Sequence, residues 1–384
     1  MSEVLLIRRA EYDRPGVDAA VRRAFDRFDA GAWAGAKVLL KVNLVGGYVP
    51  ERRATTDPLV VSSVARAVLD HGGRPIIADS PGVEAFAGAA ERAGLMDVAR
   101  ELGIACVELD DAVPLPRREG ATFHKIDVAR LALEADAIIG LPKMKTHGQM
   151  LVTLGVKGLF GCVPGRAKAA WHYDVGLDRD RFAALLLDIY EGVALAGGRP
   201  FLTILDGIVG MHGDGPTSGE PYPYGLIAAS KDALALDFRV ARMMGASLDD
   251  LPLWRAARLR DMPQCALEDA VEGDFPADHV FDGVRLPAQG SLSFLPRVPM
   301  IERALMSRPV HVGELCVGCG RCVDACAAGA LRLSGRVLRF DYARCIRCYC
   351  CHEMCPTRAI AFRVSPIVRF SEWIERVAAR ARRR

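Results

Sequence analysis

Read for the spacing of its apolar residues, the chain opens as short β-rich runs alternating with longer amphipathic stretches. The runs predict strands over Val4–Arg8, Lys37–Leu44, Pro75–Asp79, Ala105–Leu109, Ala135–Leu141 and Phe201–Leu205. Helical spacing appears between them over Asp18–Phe28, Leu59–His71 and Ala85–Leu102, and a glycine-punctuated helix is expected over Leu151–Gly161. In TTDP, Asp57 and Pro58 carry the N-cap and first-turn chemistry of a helix start. Strand–helix–strand repetition predicts parallel pairing through right-handed crossovers. The expected fold class is α/β, a layered and mostly parallel sheet domain over residues 1–300. Its close is Met262–Arg297, rich in Pro, Asp and Gly and weak in periodicity.

Beyond residue 308 cysteine replaces periodicity as the signal. Of twelve cysteines only Cys106, Cys162 and Cys265 precede residue 316. The segment ELCVGCGRCVDACAAGAL is matched 29 residues later by ARCIRCYCCHEMCPTRAI. Each copy carries C-x2-C-x2-C-x3-C, giving Cys316, Cys319, Cys322, Cys326 and then Cys345, Cys348, Cys351, Cys355. In this arrangement three cysteines of one run hold a 4Fe–4S cluster and the fourth reaches across to the other. The expected ligand sets are Cys316, Cys319, Cys322 with Cys355, and Cys345, Cys348, Cys351 with Cys326. Structural zinc favours separated C-x2-C pairs with four ligands, so duplicated triplets suit it poorly. A small α+β domain with two 4Fe–4S clusters is therefore expected over residues 309–364. It resembles bacterial two-cluster ferredoxins, although Ala327 stands where Pro356 follows the matching cysteine of the second run. Cys350 falls outside the repeat and reads as a small buried residue or a thiol that tunes the second cluster.

A last amphipathic helix is expected over residues 365–384. Phe370, Trp373, Ile374, Val377 and Ala381 share one face, and arginines fill the other. It would pack on its own protein, with contact to an anionic membrane surface or docking of an acidic redox partner as the alternatives. The net charge of +3 is a property of this tail, because five arginines lie between Arg376 and Arg384. A near-neutral body argues against nucleic acid as a partner. No apolar run reaches the ~18–20 residues of a transmembrane helix, and charge follows four apolar residues at the start, unlike a secretory leader. The expected location is cytoplasmic, a compartment that keeps thiols reduced.

Only eight of the 50 basic residues are lysine, so a lysine that persists is a candidate for a compact or titratable charge. Four of them lie within Lys143–Lys168. At the end of a predicted buried strand, PKMKTH places Lys143, Lys145 and His147 where parallel sheets bind ligands. Two cations there form an anion site, and His147 is the first candidate for proton transfer. Other strand ends offer Lys41 and Asn43 in KVNL, Asp79 and Ser80 in DSPG, and Asp206 in LDG. No G-x-G-x-x-G follows the first strand and no Walker A motif occurs.

Together KVNL, TTDP, DSPG, PKMKTH, TLGVKGLFGCVPG and LDGIVGMHGDGP resemble the domain-of-unknown-function 362 family, some members of which carry a C-terminal two-cluster ferredoxin. The resemblance implies one site made of His147, Lys145 and Asp206 as catalytic candidates and of Lys41, Asn43, Lys143 and Lys157 as binding candidates. Two functions follow from different classes. One is an iron–sulfur oxidoreductase acting on a small anionic substrate in the α/β domain. The other is an electron-transfer adaptor whose large domain docks a ferredoxin or reductase and has no chemistry of its own.

Overall fold

The computed structural model describes residues 3–28, 33–165, 167–266, 270–287 and 306–363; the expected helix over 365–384 lies outside them. One sheet organises the first two-thirds of the chain. Its main path uses β1 (Glu3–Arg8), β2 (Lys37–Val42), β3 (Arg74–Asp79) and β4 (Ala105–Glu108). A two-stranded ribbon, β5 (Ala112–Pro114) with β6 (Asp127–Ala129), leads to β7 (Ala137–Leu141), β8 (Lys143–His147) and β9 (Leu151–Thr153). Then come β10 (Phe201–His212), β11 (Glu220–Tyr222), β12 (Leu226–Ser230) and β13 (Ala270–Gly273). The path order is β13-β1-β12-β10-β7-β2-β3-β4. Strands β10, β7, β2, β3 and β4 are parallel, while β12 runs antiparallel to both β10 and β1. The α/β expectation holds.

Alternation along each strand divides the core into two layers. Leu39, Ile138 and Leu205 face one side, and Val38, Leu40, Ile139 and Ile204 face the other. Capping fixes where the covering helices begin. Asp57 accepts from the Leu59 amide with Pro58 in the first turn, as TTDP predicts.

Three segments differ from their expected form, the first being Ala85–Leu102, which is two helices, Phe86–Arg92 and Leu95–Leu102, separated at Gly94 with a φ of 74°. Leu151–Thr153 is a strand pairing with β8, because β-branched Val152 and Thr153 suit a buried ribbon. The rest is helical as expected: an α-turn over Gly155–Gly158, its first amides held by the buried Asp237 carboxylate, continues as a 3-10 turn over Leu159–Cys162. Strand β10 runs twelve residues rather than five. Gly210 permits this, since a Cβ there would lie 2.4 Å from the Met144 carbonyl oxygen of the crossing strand.

The cysteine module has a two-stranded ribbon, β14 (Arg308–His311) with β17 (Ile360–Arg363), and a hairpin, β15 (Leu331–Ser334) with β16 (Val337–Phe340). Leu331, Leu338, Ala359 and Ile360 form a core too small to stand without further ties. The module seats on the carboxyl-end loops of the large sheet. Tyr48 and Thr217 hydroxyls both donate to the Glu353 carbonyl, at 3.0 and 2.9 Å. His352 lies 3.0 Å from the Asp214 carbonyl, and Arg358 donates to that of Gly219.

Candidate functional site

Strand β8 lies beyond the carboxyl end of β7, so KMKTH is extended and its side chains alternate. Lys143, Lys145 and His147 share one side, and all are buried. Each meets a different partner. Lys143 donates to Asp206 at 2.7 Å and to the Tyr12 hydroxyl at 2.6 Å; Asp206 also accepts from Tyr12 and from the Asp57 amide. Lys145 donates to Asn43 Oδ1 and to the Ala54 carbonyl, both at 2.6 Å. Burial, with Lys157 adding to it, brings the Lys145 ammonium down to about 7. Lys41 pairs with Asp79 at 2.8 Å. That pair occupies the space a Cβ at Gly161 would need, 2.2 Å from Asp79 Oδ1.

His147 Nδ1 accepts from the Gln149 and Met150 amides, which leaves the proton on Nε2. Nε2 faces Glu353 Oε1 of the cysteine module at 3.1 Å, without the alignment of a full hydrogen bond. Burial lowers His147 to about 4, so the ring is neutral at pH 7. Burial opposes the charge on Glu353, but His147 and Lys157 outweigh it and hold the carboxyl down to about 2. An ionised carboxylate from one domain thus meets a neutral imidazole N–H from the other.

Beside this contact lies a cavity of about 370 Å³ between the domains. From the sheet side it is lined by Asn43, Asp79, Lys157, Phe160, Lys168 and His172, among others. From the module it is lined by Asp324, Ala325, Cys350, Glu353 and Met354. Lys157 extends past the Phe160 and Phe182 rings, and no hydrogen bond is made to its ammonium by the described residues. Burial lowers it below its ordinary value. Lys168 donates to the Ser80 and Val163 carbonyls, and burial brings it to about 8. His172 and Thr153 also line the space; His172 Nδ1 and Thr153 Oγ1 have no partner among the described residues.

A second, narrow cavity lies inside the module. Cys316, Cys319, Cys322 and Cys355 line it together with Leu333, Leu338 and Ile360. Cys326 approaches the other run closely enough for its charge to act on Cys345 and Cys351. The Ala330 and Ala359 amides donate to the sulfurs of Cys326 and Cys355, at 3.2 and 3.1 Å. Sulfurs spaced around a dry gap, with amide donors to them, fit a polynuclear iron–sulfur group.

Both parts of the chain resemble known proteins. The model of the family described as domain of unknown function (DUF362) matches residues 38–242. A thylakoid-associated protein of Synechocystis sp. is 35% identical over 290 residues, 75% of this chain and 88% of its own. The chain belongs to the DUF362 family. Residues 315–359 match a 4Fe–4S dicluster domain model. An uncharacterized ferredoxin of Methanocaldococcus jannaschii is 40% identical over 55 residues, 13% of this chain and 71% of that one. A solved structure from Thermotoga maritima has 14% identity and a TM-score of 0.37, covering 65% of this chain and 59% of its own. The C-terminal module is thus a ferredoxin-like 4Fe–4S domain, and the function it supports is electron transfer. Among the described residues, no helix is long and apolar enough to cross a membrane.

Within this DUF362 chain, the seven candidates from the α/β domain lie in one polar layer at the strand ends, in two roles. Asn43 and Lys157 line the interdomain cavity. Lys41, Lys143, Lys145, His147 and Asp206 stand behind it, and each is tied to a partner. Sequence reasoning missed His172 and Glu353. His172 sits in a helix of unremarkable pattern, Ala167–Val175, and Glu353 lies between cluster cysteines. Neither has a local signal, because each becomes a site residue only through contact across the domains.

Proposed function

We propose that this DUF362 chain is an iron–sulfur oxidoreductase whose two 4Fe–4S clusters exchange electrons with a small anionic substrate in the interdomain cavity. The observation that carries this reading is the position of the cavity: one wall presents Lys157, and the opposite wall presents the neighbours of cluster cysteines. Ala325 precedes Cys326 and Cys350 precedes Cys351, so an occupant touches the second cluster's ligand loops. When bound, such clusters supply single-electron exchange. The cluster held by Cys345, Cys348, Cys351 and Cys326 is the one next to the cavity. The other is held by Cys316, Cys319, Cys322 and Cys355.

The residues divide the remaining work. Lys157 and Lys168 bind the anion, and Asn43 and Thr153 orient it. Glu353, held by Tyr48, Thr217 and His147, fixes the module wall against the sheet. Lys143–Asp206 and Lys41–Asp79 hold the strand ends in register, which makes them positioning pairs. His147, neutral and bound at Nδ1, serves as an anchor for Glu353 in this reading, and Lys168, lowered by burial to about 8, is a cavity-facing group that titrates near neutrality. A cytoplasmic location suits free thiolates, and a protein redox partner completes the electron path.

Calorimetric titration of the anaerobic protein with a panel of small carboxylates tests the reading. Lys168 is charged below about 8, so affinity falls as pH rises through that value, and Lys168→Met removes the inflection. Lys157→Met weakens binding about tenfold or more, the loss of one buried charge-assisted contact. Carboxylate binding that is unchanged in Lys157→Met contradicts the substrate site and favours the adaptor reading.

A further inference from the structure

The module's two cluster sites differ in exposure, and the difference orders them. Seven of the eight repeat cysteines are buried or half-buried, whereas Cys319 is exposed. Cys326 and Cys351 belong to the site beside the cavity, so the site containing Cys319 is the outer one.

Around Cys319 the surface is apolar at its centre and basic at its edge. Leu315, Val317 and Val337 are 46%, 57% and 55% exposed. The Cys319 loop abuts the hairpin turn, because a Cβ on Gly318 would lie 2.8 Å from the Gly335 carbonyl oxygen. Pairing in β15–β16 sets Arg332 opposite Arg339, and Ser334 opposite Val337, on the outward face. Leu331 and Leu338 turn inward. Among the described residues neither Arg332 nor Arg339 has a carboxylate partner. Arg336, at the turn, donates to the Cys316 carbonyl. Residues 306–363 carry nine arginines and no lysine against four carboxylates. Glu353 is buried in the domain junction; on the basic side Arg347 is buried, Arg321 pairs with Glu84 and Arg358 bonds to Gly219, and Arg332, Arg336 and Arg339 are the arginines of this hairpin. Glu314, beside Leu315, and Asp341, two residues beyond Arg339, are the exposed acids at the edge of the patch.

We propose that this face docks an acidic one-electron carrier protein, which exchanges electrons at the Cys319 edge while the substrate is served at the opposite, Cys350 edge. The proposal rests on the reading of the module as an electron carrier and adds the polarity of the path and the charge of the partner. The apolar centre supplies the desolvated contact and the arginines the steering. Cys316, Cys319, Cys322 and Cys355 would hold the accepting cluster, which would take up the one electron that the carrier's reduced centre gives up in each encounter. No bond is made or broken.

The test uses the full-length, cluster-loaded protein and a reduced acidic one-cluster [2Fe–2S] ferredoxin as probe. Affinity is measured at low and high salt, and electron uptake by stopped flow. R332E/R339E is expected to lower affinity and uptake at low salt about tenfold or more and to flatten the salt dependence. Iron content and reduction by dithionite stay at wild-type levels. R332Q/R339Q, which keeps the hairpin free of new charge, gives a smaller loss of the same sign and covers a failure of the reversal to fold. R22E, on the exposed side of the helix Arg14–Arg27, changes neither. Unaltered binding in R332E/R339E, or an equal loss in R22E, overturns the docking face. If the wild type takes no electron even from dithionite, the electron-carrying reading itself falls. If dithionite reduces it and the ferredoxin does not bind, only the docking face falls.

Discussion

Lys143 and Asp206 are both fully buried and 2.7 Å apart. Burying two charges costs several kcal/mol, which their attraction recovers only when each partner is present. Asp206→Ala therefore leaves Lys143, already lowered by burial, without its counter-charge. The expected loss of stability is about 3–5 kcal/mol, read from denaturant midpoints of the apo and cluster-loaded forms. A loss below ~1 kcal/mol, within the range of a surface pair, contradicts the positioning role. At this scale the sequence was informative in one respect. Of the eight lysines in a chain that mostly uses arginine, those at 41, 143, 145, 157 and 168 come together at the strand ends and the cavity, whereas those at 37, 125 and 231 do not. What each does there was not legible. Asp79, Asp206 and Asn43 come from three separate segments, and only folding assigns them to Lys41, Lys143 and Lys145, while Glu353 reaches His147 from the other domain.

Elements carry the junction between the domains. The loop bearing Tyr48 follows β2, the loop bearing Thr217 follows β10, and both hydroxyls converge on the Glu353 carbonyl. Tyr48→Phe with Thr217→Val leaves that oxygen without its two donors, at a cost of about 1–3 kcal/mol. Hydrogen exchange of the module amides is expected to quicken while β2, β7 and β10 keep their protection; unchanged module exchange contradicts the account of the junction. The strands were legible because buried parallel strands are short, apolar and β-branched, and their helices have capping residues such as Asp57. Leu151–Thr153, the start of the expected helix Leu151–Gly161, was misread for a physical reason. Its apolar residues are buried on every side, which removes the alternation that distinguishes a strand. The extension of β10 was equally hidden, because Gly207 and Gly210 are poor strand formers and only the pairing with β8 shows why side chains are excluded there.

For the whole molecule, the cysteine repeat was the most legible feature, since iron ligation depends on spacing within two short loops. The interdomain cavity was the least legible, because its walls come from residues as distant as Asn43 and Met354. The account treats these as one device, in which a ferredoxin-like module is fixed against the carboxyl ends of a parallel sheet with a lysine-lined space between them. All of it requires that the eight cysteines hold iron. Iron and acid-labile sulfide, measured per chain in full-length protein purified without oxygen, test this directly. The account predicts about eight of each. Zinc at one or two ions per chain, or cysteines that remain titratable thiols with neither iron nor sulfide present, would contradict it.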